Sequence, residues 1–349
     1  MNKVDYSILL KKKTRRNFLG TICGTTAALS IYPGFPATPP PTKSSGTGYL
    51  YDDRYLLHIN SRNVFSENLG RWIGTADSPK RLVKIAERMN DSGLIQDVST
   101  LSPSVDASPH INKIHTLEHS QSIQKIPKTG EVAALAVSGA LTAVQAVSEG
   151  RVRNAFCAIR PPGHHANNTG KDEGFCFYGN VAIAARYAQR QLGFKKILIV
   201  DWDYHHGNGT ENAFWEDPSV LFFSTHDLHA YPRTGDPNRK GAGPGNGFNI
   251  NVPLDCGATD DQIVKAFEEQ LLSAAERFQP DFILISAGFD SRVDDLLGCF
   301  SITDSGFKRL TRIIMDLADS TCEGRIVSLL EGGYNVDGLA MAAEAHVSE

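Results

Sequence analysis

From Tyr49 onward, short uninterrupted apolar runs alternate with longer stretches in which apolar residues recur at helical spacing. The runs at 155–159, 196–200, 220–223, 282–286 and 325–330 have strand length and little polar interruption. That is the pattern of strands covered on both faces. The stretches 132–149, 181–192, 260–278 and 305–318 predict helices. Thr259 with Gln262 has capping-box spacing. Gly150 and Gly193 stand where helices stop. The apolar face of 132–147 is broad, which predicts a well-buried helix. Such alternation predicts an α/β fold around a mainly parallel sheet.

Residues 1–47 do not share this pattern. Lys11–Lys12–Lys13 precede Thr14–Arg15–Arg16–Asn17–Phe18–Leu19, a weakly apolar run follows, and a Pro/Thr/Ser/Gly-rich stretch closes the segment. These are the parts of an export signal, and the twin-arginine core suits a receptor-read address for proteins exported already folded. The apolar run is too short and interrupted to span a bilayer stably. We therefore expect residues 1–47 to be a leader and linker, 48–349 a single catalytic domain, and the protein to be exported; the alternative is a cytoplasmic protein with a basic tail.

Composition narrows the partners. Hydrophobic residues make up 41% of the 349 and charged residues 21%, with net charge −4, which is ordinary for a soluble domain and unlike a nucleic-acid binder. Six scattered cysteines, one of them in the leader, form no CxxC. They predict buried small hydrophobes rather than a disulfide framework.

In open parallel sheets, ligands bind beyond the carboxyl ends of the strands. Polar chemistry follows every one of the five predicted strands: Arg160-Pro161-Pro162-Gly163-His164-His165, Asp201-Trp202-Asp203-Tyr204-His205-His206-Gly207, Ser224-Thr225-His226, Ala287-Gly288-Phe289-Asp290 and Glu331-Gly332-Gly333-Tyr334. Asp203 and His205 are two apart on an extended segment, so their side chains point the same way. With Asp290 they make the three ligands of a catalytic Zn²⁺ with an open position. Two carboxylates make the set oxygen-rich, so Fe²⁺ or Co²⁺ also suit it. His164 and His165 follow a rigid Pro-Pro-Gly turn. Histidine both takes and gives a proton near neutral pH, so His165 is assigned as general base and acid and His164 as its electrostatic partner. Asp201 orients His164. Gly332 and Gly333 let the backbone turn and bring in Tyr334, whose hydroxyl can donate to a developing oxyanion.

The segments 160–166 (RPPGHHA), 174–177 (GFCF), 201–207 (DWDYHHG), 286–290 (SAGFD) and 331–334 (EGGY), in this order, resemble the zinc-dependent histone deacetylase family, in its class II-like, bacterial-type form. The resemblance covers roughly 50–340. It implies the arginase/deacetylase fold, a three-layer α/β/α arrangement with a sheet of about eight strands. It implies the same ligands and catalytic groups, and an acylated lysine or other acylated amine as substrate. It also implies that Phe175 and Tyr231 wall the tunnel for the acyl-lysine stem. The Gly174 carbonyl would accept from the scissile amide. A structural K⁺ would be held by Asp201, Asp203, His205, Ser224 and Thr225.

Three positions bear on specificity. Asn208 stands where some members carry an Asp beside the second histidine; an amide stabilises imidazolium less. Tyr231 stands where Phe is commoner. Leu297 occupies a mouth position where polyamine-specific relatives carry Glu, which favours a neutral stem. The rim carboxylate that grips the substrate backbone in many members has no match near 97–106. The competing readings are an acetylpolyamine or other small-molecule amidohydrolase of the same fold, and a non-catalytic acyl-lysine binding module. A Rossmann dehydrogenase is excluded, since no GxGxxG joins a strand to a helix near the start of the domain.

Overall fold

The five apolar runs form five contiguous central strands. The computed structural model describes residues 46–60 and 62–349; the expected export leader, up to residue 45, lies outside the described residues. In chain order the strands are β1 (Thr47–Leu50), β2 (Asn63–Ser66), β3 (Arg71–Thr75), β4 (Ser99–Leu101), β5 (Asn154–Cys157), β6 (Ile197–Asp201), β7 (Val220–His226), β8 (Asn249–Pro253), β9 (Phe282–Ala287) and β10 (Ile326–Leu330). Eight of them make one sheet in the order β4-β1-β5-β10-β9-β6-β7-β8, parallel throughout. β2 and β3 pair as a separate antiparallel hairpin. The expected strands are β5, β10, β9, β6 and β7. Those without a clear apolar run, β4, β1 and β8, lie outside them. Thr47, expected to close the leader, instead opens β1 opposite Asn154, so the sheet starts one residue before the expected domain boundary at 48.

Helices cover the sheet. Thr129–Ser148 and Asn180–Leu192 pack against each other and against sheet strands, while Lys80–Asp91, Asp304–Thr321 and Val336–Ser348 pack as a second set. Thr129–Ser148 is the one helix among the described residues long and apolar enough to cross a membrane, and 72% of its apolar window is buried inside the fold. The predicted helix at 260–278 begins at the expected Thr259/Gln262 capping box and is interrupted by a π turn at Phe267–Leu271. Asn180–Leu192 ends on Gly193, at φ 81°.

Cys157, Cys176 and Cys322 are buried thiols, as expected. Cys256 and Cys299 are not: they form a disulfide with Cα atoms 5.2 Å apart. Their segments, after β8 and after β9, meet at the cavity described below, an approach that sequence spacing does not reveal.

Candidate functional site

The C-terminal ends of β5, β6, β9 and β10 deliver their loops to one point. There Asp203, His205 and Asp290 place ligand atoms within 4.8 Å of one another. The two carboxylates are oriented by backbone donors. The His205 N–H donates to Asp203 Oδ1 at 2.8 Å, the Gly332 N–H to Asp203 Oδ2 at 2.8 Å, and the Tyr204 N–H to Asp290 Oδ1 at 2.8 Å. His205 Nδ1 faces both carboxylates, 2.9 Å from Asp290 Oδ2 and 3.3 Å from Asp203 Oδ1. A Cβ at Gly332 would overlap the Asp290 and Asp203 carboxylates, and one at Gly288 would overlap Asp203; only glycine lets the loops close around them.

Acidic groups crowd this point. Asp201, Asp203, Asp290 and Glu331 are all fully buried. Burial raises the Asp290 carboxyl to about 7, and the neighbouring Asp203 charge adds to it. Burial alone would depress His205, yet hydrogen bonds to Asp203 and Asp290 carry it up to about 10. Buried charges persist when paired or coordinating a metal. Two carboxylates and an imidazole with an open side suit Zn²⁺, with Fe²⁺ and Co²⁺ as chemical alternatives.

The histidine pair lies beside this cluster, with ring centres 4.0 Å apart. His164 Nδ1 is 3.0 Å from Asp201 Oδ2. Burial opposes its charge, but Asp203 and Asp201 prevail and raise it well above the usual histidine range. His165 Nδ1 bonds Asn208 Oδ1 at 2.9 Å. Burial, then the charges of His164 and His205, push His165 well below that range. The two imidazoles are thus driven apart: His164 toward imidazolium, His165 toward the neutral base.

Tyr334 is buried at the same cavity. Burial, helped by Asp290, raises its phenol well above the ordinary value, so it keeps its proton. The cavity measures about 590 Å³ and is lined by His165, Gly174, Phe175, His205, Tyr231 and Tyr334 among others, with Leu297 also on its wall. The Phe175 ring stands 5.8 Å from Tyr334, and the Tyr231 ring 4.9 Å from His165, nearly perpendicular. Gly174, at φ 52°, sits so close to His165 that a Cβ would overlap its ring. Ser224 is register partner to Asp201 across β6 and β7 and bonds His226 Nδ1 at 2.9 Å. The Thr225 hydroxyl is buried with no hydrogen-bond partner among the described residues.

The loops also rest on further buried charged residues: Glu331 and Arg160 belong to the strand-end segments, while no motif in the sequence marks Asp77, Arg81 or Asp295. Glu331 Oε2 accepts from the Gly163 and His164 N–H groups at 2.6 and 3.1 Å and so sets the histidine turn. Asp295 accepts from the N–H groups of Leu297 at 2.8 Å and Tyr334 at 2.7 Å, tying the mouth loop to the tyrosine loop. Arg81 and Arg160 both bind Asp77, at 3.0 and 2.8 Å, and all three are fully buried. Tyr334 lies far from Asp295 in sequence, and Gly333, whose carbonyl Arg81 also binds, lies far from Arg81. Glu331 and Arg160 gave a signal, their places in the strand-end segments.

Residues 75–349 match the protein family described as histone deacetylase domain. Histone deacetylase 5 of Arabidopsis thaliana is 38% identical over 304 residues; the match takes in 78% of this chain and 45% of that protein. A probable deacetylase of Archaeoglobus fulgidus is 33% identical, covering 84% of this chain and 82% of its own. The crystal structure of the HDA15 HD domain superposes with TM-score 0.80 at 34% identity, covering 87% of this chain and 89% of that one. The chain thus spans less than half of the plant relative and most of the archaeal one. The sheet order and this superposition are those of the arginase/deacetylase fold.

Proposed function

Because this chain belongs to the histone deacetylase family, we propose that it is a metal-dependent deacylase that hydrolyses the amide of an acylated lysine. The convergence of Asp203, His205 and Asp290 within 4.8 Å, beneath a cavity lined by His165 and Tyr334, carries this reading. A Zn²⁺ held by those three side chains would supply electrophilic polarisation of the amide carbonyl and of an attacking water. His165, neutral and with Nδ1 taken by Asn208, uses Nε2 to take the proton of the water. It then returns that proton to the leaving amine nitrogen. His164, held cationic by Asp203 and Asp201, keeps His165 from charging prematurely. The Tyr334 hydroxyl donates to the carbonyl oxygen as it gains negative charge. Phe175 and Tyr231 flank the lysine stem and exclude water, and the Gly174 carbonyl accepts from the amide N–H. Acetate and a free amine leave.

Asp201, Asp203, His205, Ser224 and Thr225 are the groups that would hold a structural K⁺. Export through the twin-arginine segment belongs to the same reading; fractionation of cells carrying Arg15→Lys with Arg16→Lys tests it.

The deciding experiment loads the full chain with Zn²⁺ and measures turnover of an acetyl-lysine peptide beside an acetylated polyamine. Turnover of the peptide, lost on dialysis against a chelator and restored by metal, is expected. Hydrolysis of the polyamine alone overturns the substrate; hydrolysis of neither overturns the reaction.

A further inference from the structure

The β2–β3 hairpin stands apart from the main sheet and divides its side chains between two tasks. Val64 and Ile73 pack against the cluster of Ala76, Phe175 and Tyr334, as Leu297 does, helping to build the inner wall. Phe65 and Trp72, register partners across the hairpin, form an edge-to-face pair with ring centres 5.7 Å apart. They line the same cavity on its outer side and are 46% and 67% exposed. The hairpin is pinned: the Ser66 hydroxyl donates to the Leu296 carbonyl, and Asn68 Nδ2 donates to the Gly298 carbonyl at 2.9 Å. The aromatic pair is therefore a fixed platform at the rim, anchored to the loop that carries Leu297.

Charges at the rim are matched among themselves. Arg62 pairs with Asp172 at 2.9 Å, and Arg233 faces Glu67 at 3.8 Å. Phe65 and Trp72 themselves present uncharged aromatic surface at this rim. A lysine stem that reaches His165 and Tyr334 leaves its Cα at the mouth, and the next residue's Cα lies ~3.8 Å further along the chain. A flanking side chain then falls on the rim, whereas a small acylated amine would leave Trp72 uncovered.

We propose that Phe65 and Trp72 form a specificity subsite for a bulky apolar or aromatic residue adjacent to the acylated lysine, so that the substrate is a peptide or protein segment rather than a small amine. This rests on the deacylase reading above. Tryptophan is among the side chains that most often concentrate binding energy.

The test measures kcat and KM of the Zn²⁺-loaded full chain on three acetyl-lysine peptides that differ only in the preceding residue: Phe, Gly or Arg. The Phe peptide is expected to exceed the Gly peptide in kcat/KM on the order of fivefold, mostly through KM, as an added aromatic contact allows. In Trp72→Ala that ratio falls below about twofold, and in Trp72→Phe most of it returns, because a ring still stacks there. Phe65→Ser, on the partner ring, lowers the ratio in the same direction. Comparing peptides within one variant cancels any loss of folded protein. Equal turnover of the Phe and Gly peptides by the unaltered chain, or a ratio untouched by Trp72→Ala, overturns the subsite. An Arg preference that Trp72→Ala abolishes overturns its apolar character. Absence of turnover for all three overturns the deacylase reading, and the subsite with it.

Discussion

The Arg81 guanidinium carbon lies 5.2 Å from the centre of the Tyr334 ring. Its Nε donates to the Gly333 carbonyl at 2.6 Å, and its terminal nitrogen donates to the Glu331 carbonyl. A cation from the helix Lys80–Asp91 thus grips the backbone on both sides of Gly332 and fixes the loop that presents the phenol.

Arg81→Met removes that grip and leaves two buried carbonyls and part of Asp77 unmatched. Breaking such a pair costs about 3–5 kcal/mol of stability, read as a shift in the urea midpoint. In the fraction that remains folded, kcat should fall on the order of 10²-fold with little change in KM, the cost of a small misplacement of a catalytic group. Tyr334→Phe, which keeps the ring and deletes the donor, should lose roughly 10²–10³ in kcat with the urea midpoint nearly unmoved. Full activity in Tyr334→Phe would remove the phenol from the mechanism.

The catalytic layer was legible because its residues follow the strands buried on both faces, where the chain is a plain apolar run. β5, β6, β7, β9 and β10 are contiguous in the sheet, so reading the run also located the site. β4 is only three residues, Ser99–Leu101, with two of them exposed, and β8 includes the polar Asn249 and Asn251 that reach Glu211; neither carries an apolar signature. The hairpin at 63–75 could not be read at all, since its inner face is only Val64 and Ile73. Arg81 on Gly333, and Asp295 on Tyr334, join segments that local periodicity does not connect.

Asn208→Asp tests the proton balance of the histidine pair. The Asn208 amide bond already raises His165 slightly against burial and the two neighbouring imidazoles, which together hold it well below the usual value. A carboxylate in its place favours imidazolium further, so His165 takes up its proton at higher pH. Since the base must be neutral, the acid limb of the kcat/KM profile should move to higher pH, with the alkaline limb far less affected. An acid limb that stays put would mean that His165 is not the group titrating there.

Gly332→Ala tests the carboxylate cradle without touching a ligand. The added Cβ would overlap Asp290 and Asp203, forcing the pair apart. Metal affinity, measured by competition with a chromophoric chelator, should drop about 10–100-fold, as when groups that orient ligands are disturbed. Circular dichroism should remain that of a folded α/β chain. Unchanged affinity in a folded variant would show that these carboxylates do not bind the metal.

His346 tests the core, away from the catalytic cluster. It lies between three elements: its Nδ1 is 2.7 Å from the Thr311 hydroxyl and its Nε2 is 2.9 Å from the Ser328 hydroxyl, with Trp202 5.3 Å away edge-on. Burial lowers its pKa to about 4, against about 6.5 in an unfolded chain. The folded state therefore binds fewer protons than the unfolded state between these values. The stability contributed by the neutral ring is whole above about pH 6.5 and is lost as pH falls toward 4, by about 3 kcal/mol for this one group. Asp290 and Glu331, both raised to about 7, act in the opposite sense over part of this range, so the total profile is a mixture. The difference between the unaltered chain and His346→Gln isolates the histidine. Urea unfolding should show the unaltered chain losing about 3 kcal/mol relative to His346→Gln between pH 7 and pH 4. A gap that stays constant across that interval would mean that His346 enters the fold already able to hold its proton.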